Sequence, residues 1–518
     1  MPNFKPHSYD QSAMVVINFE EQLEFDPFAL TLHHLIDNSI DLSAFYEKYK
    51  NDSGGRSAYN PSILLKIVLF AYSKGIQSSR DIQWQCEHNI IFKALSCDSV
   101  PHWTSIANFV SAYPDAIESV FEQVLLVCDQ QGLLGHELLA IDGCKMPSNA
   151  AKEHSGTLNE LTQKRDKIRQ RIRQCMKEHK HLDKRKPRER ERKERLENQL
   201  ASLDKHFQKI DQFLKTAAPR MGQGKKSKEV KSNITDNESA KMTTSKGTIQ
   251  GYNGIATVDK KHQVIVDAQA FGEGQEYHTL EPVLTSVKAC YQRNGICEDV
   301  FADGIVVTAD TGYSNEDNNT FLKAEGINAY IPDRHFRSRD PKFKHQKDKH
   351  GKRHQDKVKG LQPVIAATEF TFDPKKKACT CPAGKAMWLR SETTHGAGRT
   401  KFSFEGKLRD CRHCERKHEC MRNPSSADTP EGHGRQVSFT VSNGRSATEW
   451  MMRRVDSAIG KHQYSHRMSV VEPVFANIGT NKRLNRFTLR SKKKVQGQWR
   501  LYCLVHNIEK LMRYGAVT

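Results

Sequence analysis

Asp142 and Asp310 each close a short apolar run. Leu138-Leu139-Ala140-Ile141 precedes the first, and Ile305-Val306-Val307-Thr308-Ala309 precedes the second. Such runs read as buried strands, and an acid at the end of each would enter a turn at one edge of a sheet. A third acid, Glu472, lies far along the chain in Val471-Glu472-Pro473-Val474-Phe475. Val471, Phe475 and Ile478 repeat at helical spacing, so Glu472 is expected on a helix beside an apolar face. Pro473 suits a first turn, which would start that helix close to the glutamate. Three carboxylates supply the hard oxygen ligands that Mg²⁺ prefers. Two divalent cations about 4 Å apart activate a water or a 3′-hydroxyl and stabilise a leaving oxygen in phosphoryl transfer. Taken singly, each acid is more often a turn or helix cap. Asp303 competes with Asp310, but precedes the strand instead of following it.

A second group is rich in sulfur. Cys379-Thr380-Cys381-Pro382-Ala383-Gly384 is followed by Cys411-Arg412-His413-Cys414 and then Cys420. Cys-x-x-Cys with another cysteine pair upstream has the spacing of a zinc ribbon or knuckle, where four soft ligands close a tetrahedron. Cys381, Cys411, Cys414 and Cys420 are the preferred set for structural Zn²⁺, with Cys379, His413 or His418 as substitutes. Unliganded thiols are the alternative. The remaining cysteines read as scattered core or surface residues.

The elements that must position these residues follow from periodicity. Up to about residue 135 the chain reads as helices: Pro61 opens one, Ser78 or Ser79 caps the next, and Thr104 or Ser105 caps a third. From Pro114, Ile117, Val120, Phe121, Val124, Leu125 and Cys128 keep helical spacing. Short helices between Gly and Ser turns suit a helix-turn-helix module, or equally a helical packing domain. After the strand ending at Asp142-Gly143, Gly254 to Val258 and Gln263 to Ala270 read as a hairpin. A helix from Thr279, the strand ending at Asp310, a helix over 315–325 and a strand over 327–331 complete the order. Two insertions interrupt it. Over 155–218, Leu158, Leu161, Ile168, Ile172 and Cys175, then Leu196, Leu200, Leu203, Phe207, Ile210 and Leu214, predict a coiled-coil helical hairpin turning near Pro187. Over 333–430, Arg334, Arg337, Arg339, Lys342, Lys344, Lys347, Lys349, Lys352 and Arg353 predict a basic loop that orders on nucleic acid, or a linker, ahead of the cysteines.

A chain of 518 residues is too long for one ordinary core. Lys plus Arg is 81 against 61 for Asp plus Glu, a formal charge of +20 that favours a polyanionic partner through counterion release. Met1 to Val16 lacks the pattern of a signal peptide, and the most apolar stretch, Ile63 to Tyr72, is short and broken by Lys66. No membrane partner is expected, and a cytoplasmic, nucleoid-associated protein with reduced thiols is.

The combination resembles the bacterial insertion-sequence DDE transposases with an N-terminal helical domain. The matching segments are Ser73-Lys74-Gly75-Ile76-Gln77-Ser78-Ser79-Arg80, Ala140-Ile141-Asp142-Gly143, Gly251-Tyr252-Asn253, Ala309-Asp310-Thr311-Gly312-Tyr313, Val471-Glu472-Pro473-Val474-Phe475 and Val505-His506-Asn507-Ile508. They run in order along nearly the whole chain. The resemblance implies a ribonuclease-H-like α/β core, a mixed sheet with helices in which Asp142, Asp310 and Glu472 bind Mg²⁺ or Mn²⁺. It implies cleavage at the element's ends followed by strand transfer. Tyr464 and Arg467 match a Tyr…Arg…Glu signature, which implies phosphate contact by Arg467. Gly479 stands where the family usually has Lys, and Lys482, Arg483, Arg486 and Arg490 supply cations nearby.

The expected organisation is a helical DNA-binding domain at 1–135, the start of the catalytic core at 136–154, the hairpin insertion at 155–218 and further core at 219–332. The basic and Cys-rich insertion occupies 333–430, and C-terminal core helices 431–518. Expected partners are the terminal inverted repeats, target DNA and further copies of the chain in a homo-oligomer on DNA. A non-catalytic transposase-derived DNA-binding regulator and a stand-alone nuclease are the alternatives. Clustered carboxylates that repel phosphate argue against the first.

Overall fold

The computed structural model describes residues 16–49, 54, 57–182, 190–222, 228–245, 247–302, 304–343, 364–395, 399–442 and 446–516. They form two compact units, residues 1–305 with 467–518, and residues 306–466.

In the first unit, Pro61–Ser73 is helical: Asn60 accepts from the Ser62 N–H, and Pro61 takes the first position, where no amide is needed. Ser78 caps Ser79–His88 by accepting from Asp81. The cap of Trp103–Ala112 is His102, not Thr104 or Ser105, because the His102 imidazole accepts from the Thr104 N–H. Pro114–Gln130 carries the expected apolar stripe inward. Pro61–Ser73, Trp103–Ala112 and Pro114–Gln130 pack on the C-terminal helix Lys492–Tyr514, which is buried almost continuously from Val495 to Leu511. Tyr72 stacks on Tyr502 with ring centroids 4.4 Å apart. A Cβ on Gly497 would stand 3.3 Å from Pro114. On the side facing the sheet, Trp499 donates to the Ile255 carbonyl at 3.0 Å, and Asn507 bonds both the N–H and the C=O of Ile265 at 2.8 Å. The Val505-His506-Asn507-Ile508 segment is thus where this helix is fastened to a strand.

Leu138–Pro147 pairs antiparallel with Gly247–Asp259, placing Asp142 opposite Ala256. The other edge of Gly247–Asp259 is shared by Ala240–Thr244 and Ile265–Phe271. The first strand does not end at Asp142-Gly143, as its sequence suggests; it continues to Pro147. Gly143 answers a neighbour, not a turn, since a Cβ there would lie 2.8 Å from Asn253 Oδ1. Gly251 is tighter still, with a Cβ 1.9 Å from the Met146 carbonyl oxygen.

Leu158–Leu182 and Arg190–Thr216 pack against one another. Leu161, Cys175, Leu196 and Ile210 are buried between them, and Arg165 reaches Asp211 at 3.4 Å. The expected turn at Pro187 lies outside the described residues.

In the second unit, Val306–Ala309 pairs in parallel with Ala329–Tyr330. Glu316, at the start of the helix Glu316–Ala324, accepts from Ser446, Ala447 and Thr448 and so caps the helix Ala447–Asp456. The largest departure from expectation is an antiparallel sheet of Thr371–Asp373, Ala378–Thr380, Ala386–His395, Arg399–Gly406 and Gln436–Ser442. Only one face is apolar, with Met387, Phe402, Phe404 and Val437 inward while Lys401 stands exposed. Each strand therefore contributes few apolar residues, and the segment reads as polar. Of the basic run, Arg339 is held by Asp333 at 2.6 Å and Asp456 at 2.7 Å. Lys344, Lys347, Lys349, Lys352 and Arg353, and with them most of the expected loop, lie outside the described residues, as does Asp303.

Candidate active site

Asp142 sits mid-strand, with its side chain about a quarter exposed (24%). One oxygen accepts from the Gly143 N–H at 2.8 Å and the other from Arg467 Nη1 at 2.7 Å. A carboxylate held by a guanidinium and a backbone amide is an anionic oxygen donor, already oriented. Arg467 is itself 9% exposed, set into the protein on the helix Ala458–Ala476.

That helix runs on through Pro473, so it does not begin near the glutamate. Glu472 falls in its last turns and is exposed, flanked by buried Val470, Val471 and Val474. Proline leaves the carbonyl four residues back without its helical donor. Here that carbonyl belongs to Ser469, and Gln263 Nε2 donates to it at 3.0 Å from the loop between two strands. A π-helical turn, Asn477–Asn481, follows directly. Its Asn477 donates to Glu509 at 2.8 Å and lies 3.1 Å from His506 Nδ1. Burial lowers the His506 pKa to about 3, so the ring is neutral and its Nε2–H donates to the Gln263 carbonyl at 2.9 Å. Gln263, His506 and Glu509 thus brace the helix end that carries Glu472. Sequence reasoning missed all three as positioning residues, because Gln263 meets Ser469 across 206 positions and answers a proline's absent N–H, while His506 and Glu509 meet Asn477 from a separate helix. The nearest signal was Val505-His506-Asn507-Ile508.

Lys482, expected to contact DNA, has no exposed side-chain surface and pairs with Glu509 at 2.7 Å. Burial lowers its pKa, and Glu509 opposes that shift. An ammonium enclosed in this way cannot meet a phosphate, so Lys482 is corrected from surface cation to internal partner. Arg483 and Arg486 are exposed, as is Arg490. Arg486 donates to the Ser148 carbonyl at 3.3 Å and Arg490 to the Asn149 carbonyl at 2.9 Å, which lays these cations along the loop leaving the Asp142 strand. Arg483 packs on Gly75, where a Cβ would lie 3.1 Å from its Cδ. Gly75 also has φ +72, which favours glycine.

In the second unit, Asp310 follows Val306–Ala309 directly, as expected, and its carbonyl accepts from Tyr313 at 3.1 Å to begin one 3₁₀ turn. Tyr464 packs edge-on to Phe336, with centroids 5.5 Å apart. Among the described residues, no three His, Cys, Asp or Glu side chains are grouped closely enough to hold a metal ion.

Two family models match the chain. Residues 17–112 match the Transposase domain (DUF772), and residues 380–512 match the Transposase DDE domain. The two matches support an insertion-sequence DDE transposase. The second match contains Arg467 and Glu472, whereas Asp142 and Asp310 lie outside both. No curated protein matches the chain. A DDE transposase domain implies nuclease and transposase activity in general and DNA as the partner, and DDE transposases generally use divalent metal ions. None of the described helices is long and apolar enough to cross a membrane.

Proposed function

We propose that this transposase binds the terminal inverted repeats of an insertion sequence, cleaves at their ends and joins them to target DNA, with Asp142, Asp310 and Glu472 as its acidic residues. The observation that carries the reading is the Arg467–Asp142 ion pair at 2.7 Å. It links the strand bearing one acid to the helix bearing another. The donor set fits Mg²⁺ or Mn²⁺: each residue supplies carboxylate oxygen, Asp142 is already oriented, and Glu472 faces solvent. The cations would activate the attacking water or 3′-hydroxyl and stabilise the leaving oxygen.

The chain's own residues have separate tasks. Asp142, Asp310 and Glu472 would hold the cations in a ribonuclease-H-like core. Arg467 holds Asp142 in a fixed orientation, and is poised to exchange that partner for a phosphate when DNA arrives. Tyr464 and Arg467 are proposed on the DNA path with Arg483 and Arg486. Residues 1–135 are proposed to contribute end recognition, and the 155–218 hairpin a surface for pairing copies of the chain. Labelled element ends, a target plasmid and Mg²⁺ in one reaction test the proposal. Joined product is expected. Cutting alone would indicate a nuclease, and binding alone a regulator.

A further inference from the structure

The second unit holds a separate group of side chains that strand transfer does not use. Cys381, Cys411, Cys414 and Cys420 border one cavity of about 40 Å³, together with Gly406 and Arg435. We propose that these four cysteines form a tetrathiolate site for a soft divalent cation, Zn²⁺ above all, that pins the Cys381 turn to the two short helices Leu408–Arg412 and Lys417–Cys420.

The structure separates the four from their substitutes. Cys379 does not border the cavity and is buried in the apolar core, with its sulfur 3.8 Å from Met387 Sδ. His413 and His418 do not border the cavity. Backbone amides approach two of the four sulfurs. The Lys385 backbone N–H donates to Cys381 Sγ at 3.4 Å, within a turn closed by Gly384 N–H to the Cys381 carbonyl at 2.9 Å. The Arg435 backbone N–H donates to Cys411, and Arg435 borders the same cavity as Cys420. Two glycines shape the seat of Cys411: a Cβ on Gly406 would stand 2.7 Å from its sulfur, and one on Gly434 3.2 Å.

Packing supplies the reason for a staple. The five-stranded sheet has one small apolar cluster, Ile365, Phe370, Cys379, Met387, Phe402, Phe404 and Val437, and no disulfide is among the free thiols. Modules of this size commonly add a structural metal to so small a core. The sulfurs border the cavity without closing into a ligand set. Loading therefore draws them together across it and releases the thiol protons to solvent, leaving four thiolates on one tetrahedral cation.

The test uses the full-length chain and no activity readout, so it stands or falls independently of strand transfer. Zinc is measured by elemental mass spectrometry after desalting. Cysteine alkylation is then mapped before and after a strong chelator. One zinc per chain is expected, with Cys381, Cys411, Cys414 and Cys420 protected until the chelator is added. The Cys411→Ser/Cys414→Ser variant should lose the metal and Cys379→Ser should keep it. Since a variant can fail to fold, Co²⁺ is also loaded into the unaltered protein, where sulfur-to-cobalt charge-transfer absorption of a tetrahedral four-thiolate centre is expected. Absence of metal, a disulfide among the four, a different protected set, or a cobalt spectrum without thiolate character would each overturn the site.

Discussion

Arg467 Nη1 donates to Asp142 Oδ2 at 2.7 Å, joining two residues 325 positions apart. Removing Asp142 deletes a proposed metal ligand, and removing Arg467 leaves that ligand without its partner. Metal stabilisation of a transition state is worth several kcal/mol, so Asp142→Ala, Asp310→Ala or Glu472→Ala should each lower cleavage by at least roughly 10³-fold. End binding in a gel shift should remain nearly intact. Arg467→Ala should slow cleavage of pre-bound ends, with Arg467→Lys recovering part of the loss because charge returns without the planar fork. Normal cleavage by an acid variant would remove that residue from the site.

Gln263 replaces the hydrogen bond that Pro473 cannot make. Gln263→Ala should cost about 1 kcal/mol in denaturant unfolding. Pro473→Ala restores an N–H that can serve Ser469 itself, so Gln263→Ala should cost less in that background. Equal losses in both backgrounds would show that the amide does not act through Ser469. Gln263 also accepts from Lys510 at 3.1 Å, and that part of the loss should persist in both backgrounds.

Lys482 and Arg486 make opposite predictions. Lys482→Met strips Glu509 of an enclosed partner and should destabilise the fold by about 3 kcal/mol. The salt dependence of DNA binding should be unchanged. Arg486→Ala should leave the melting temperature nearly constant and reduce the slope of log K against log salt by about 1. The reverse pattern would restore Lys482 to the DNA surface.

Asp267 provides a pH signature. It is 5% exposed, accepts from Ser286 at 2.9 Å and Gln269 at 3.1 Å, and burial pushes its pKa up from 3.8 to about 6. Because the folded pKa is the higher one, the folded state holds the extra proton. Its contribution to stability is therefore complete below pH 3.8 and is lost as pH rises through about 6. Asp267→Asn should raise the melting temperature at pH 7.5 relative to the unaltered protein, and the gain should shrink towards pH 4. A gain that is constant with pH would show that Asp267 does not titrate in this window.

Much of this protein was legible in its residues. The Pro61 and Pro114 helices, the hairpin at 259–262, the strand before Asp310 and the apolar seams at Leu161 and Ile210 are set by local periodicity and caps, which act over a few residues. Tertiary structure decided what depends on distant neighbours. It carried the first strand past Gly143, because Asn253 fills the space a side chain would need. It ran a helix through Pro473, because Gln263 supplies the donor that proline lacks. It buried Lys482, because Glu509 awaited it inside. It folded 371–442 into a sheet whose single apolar face is too sparse along any one strand to announce itself. Periodicity encodes which side of an element is buried; which partner meets a polar group depends on contacts that only the folded chain creates.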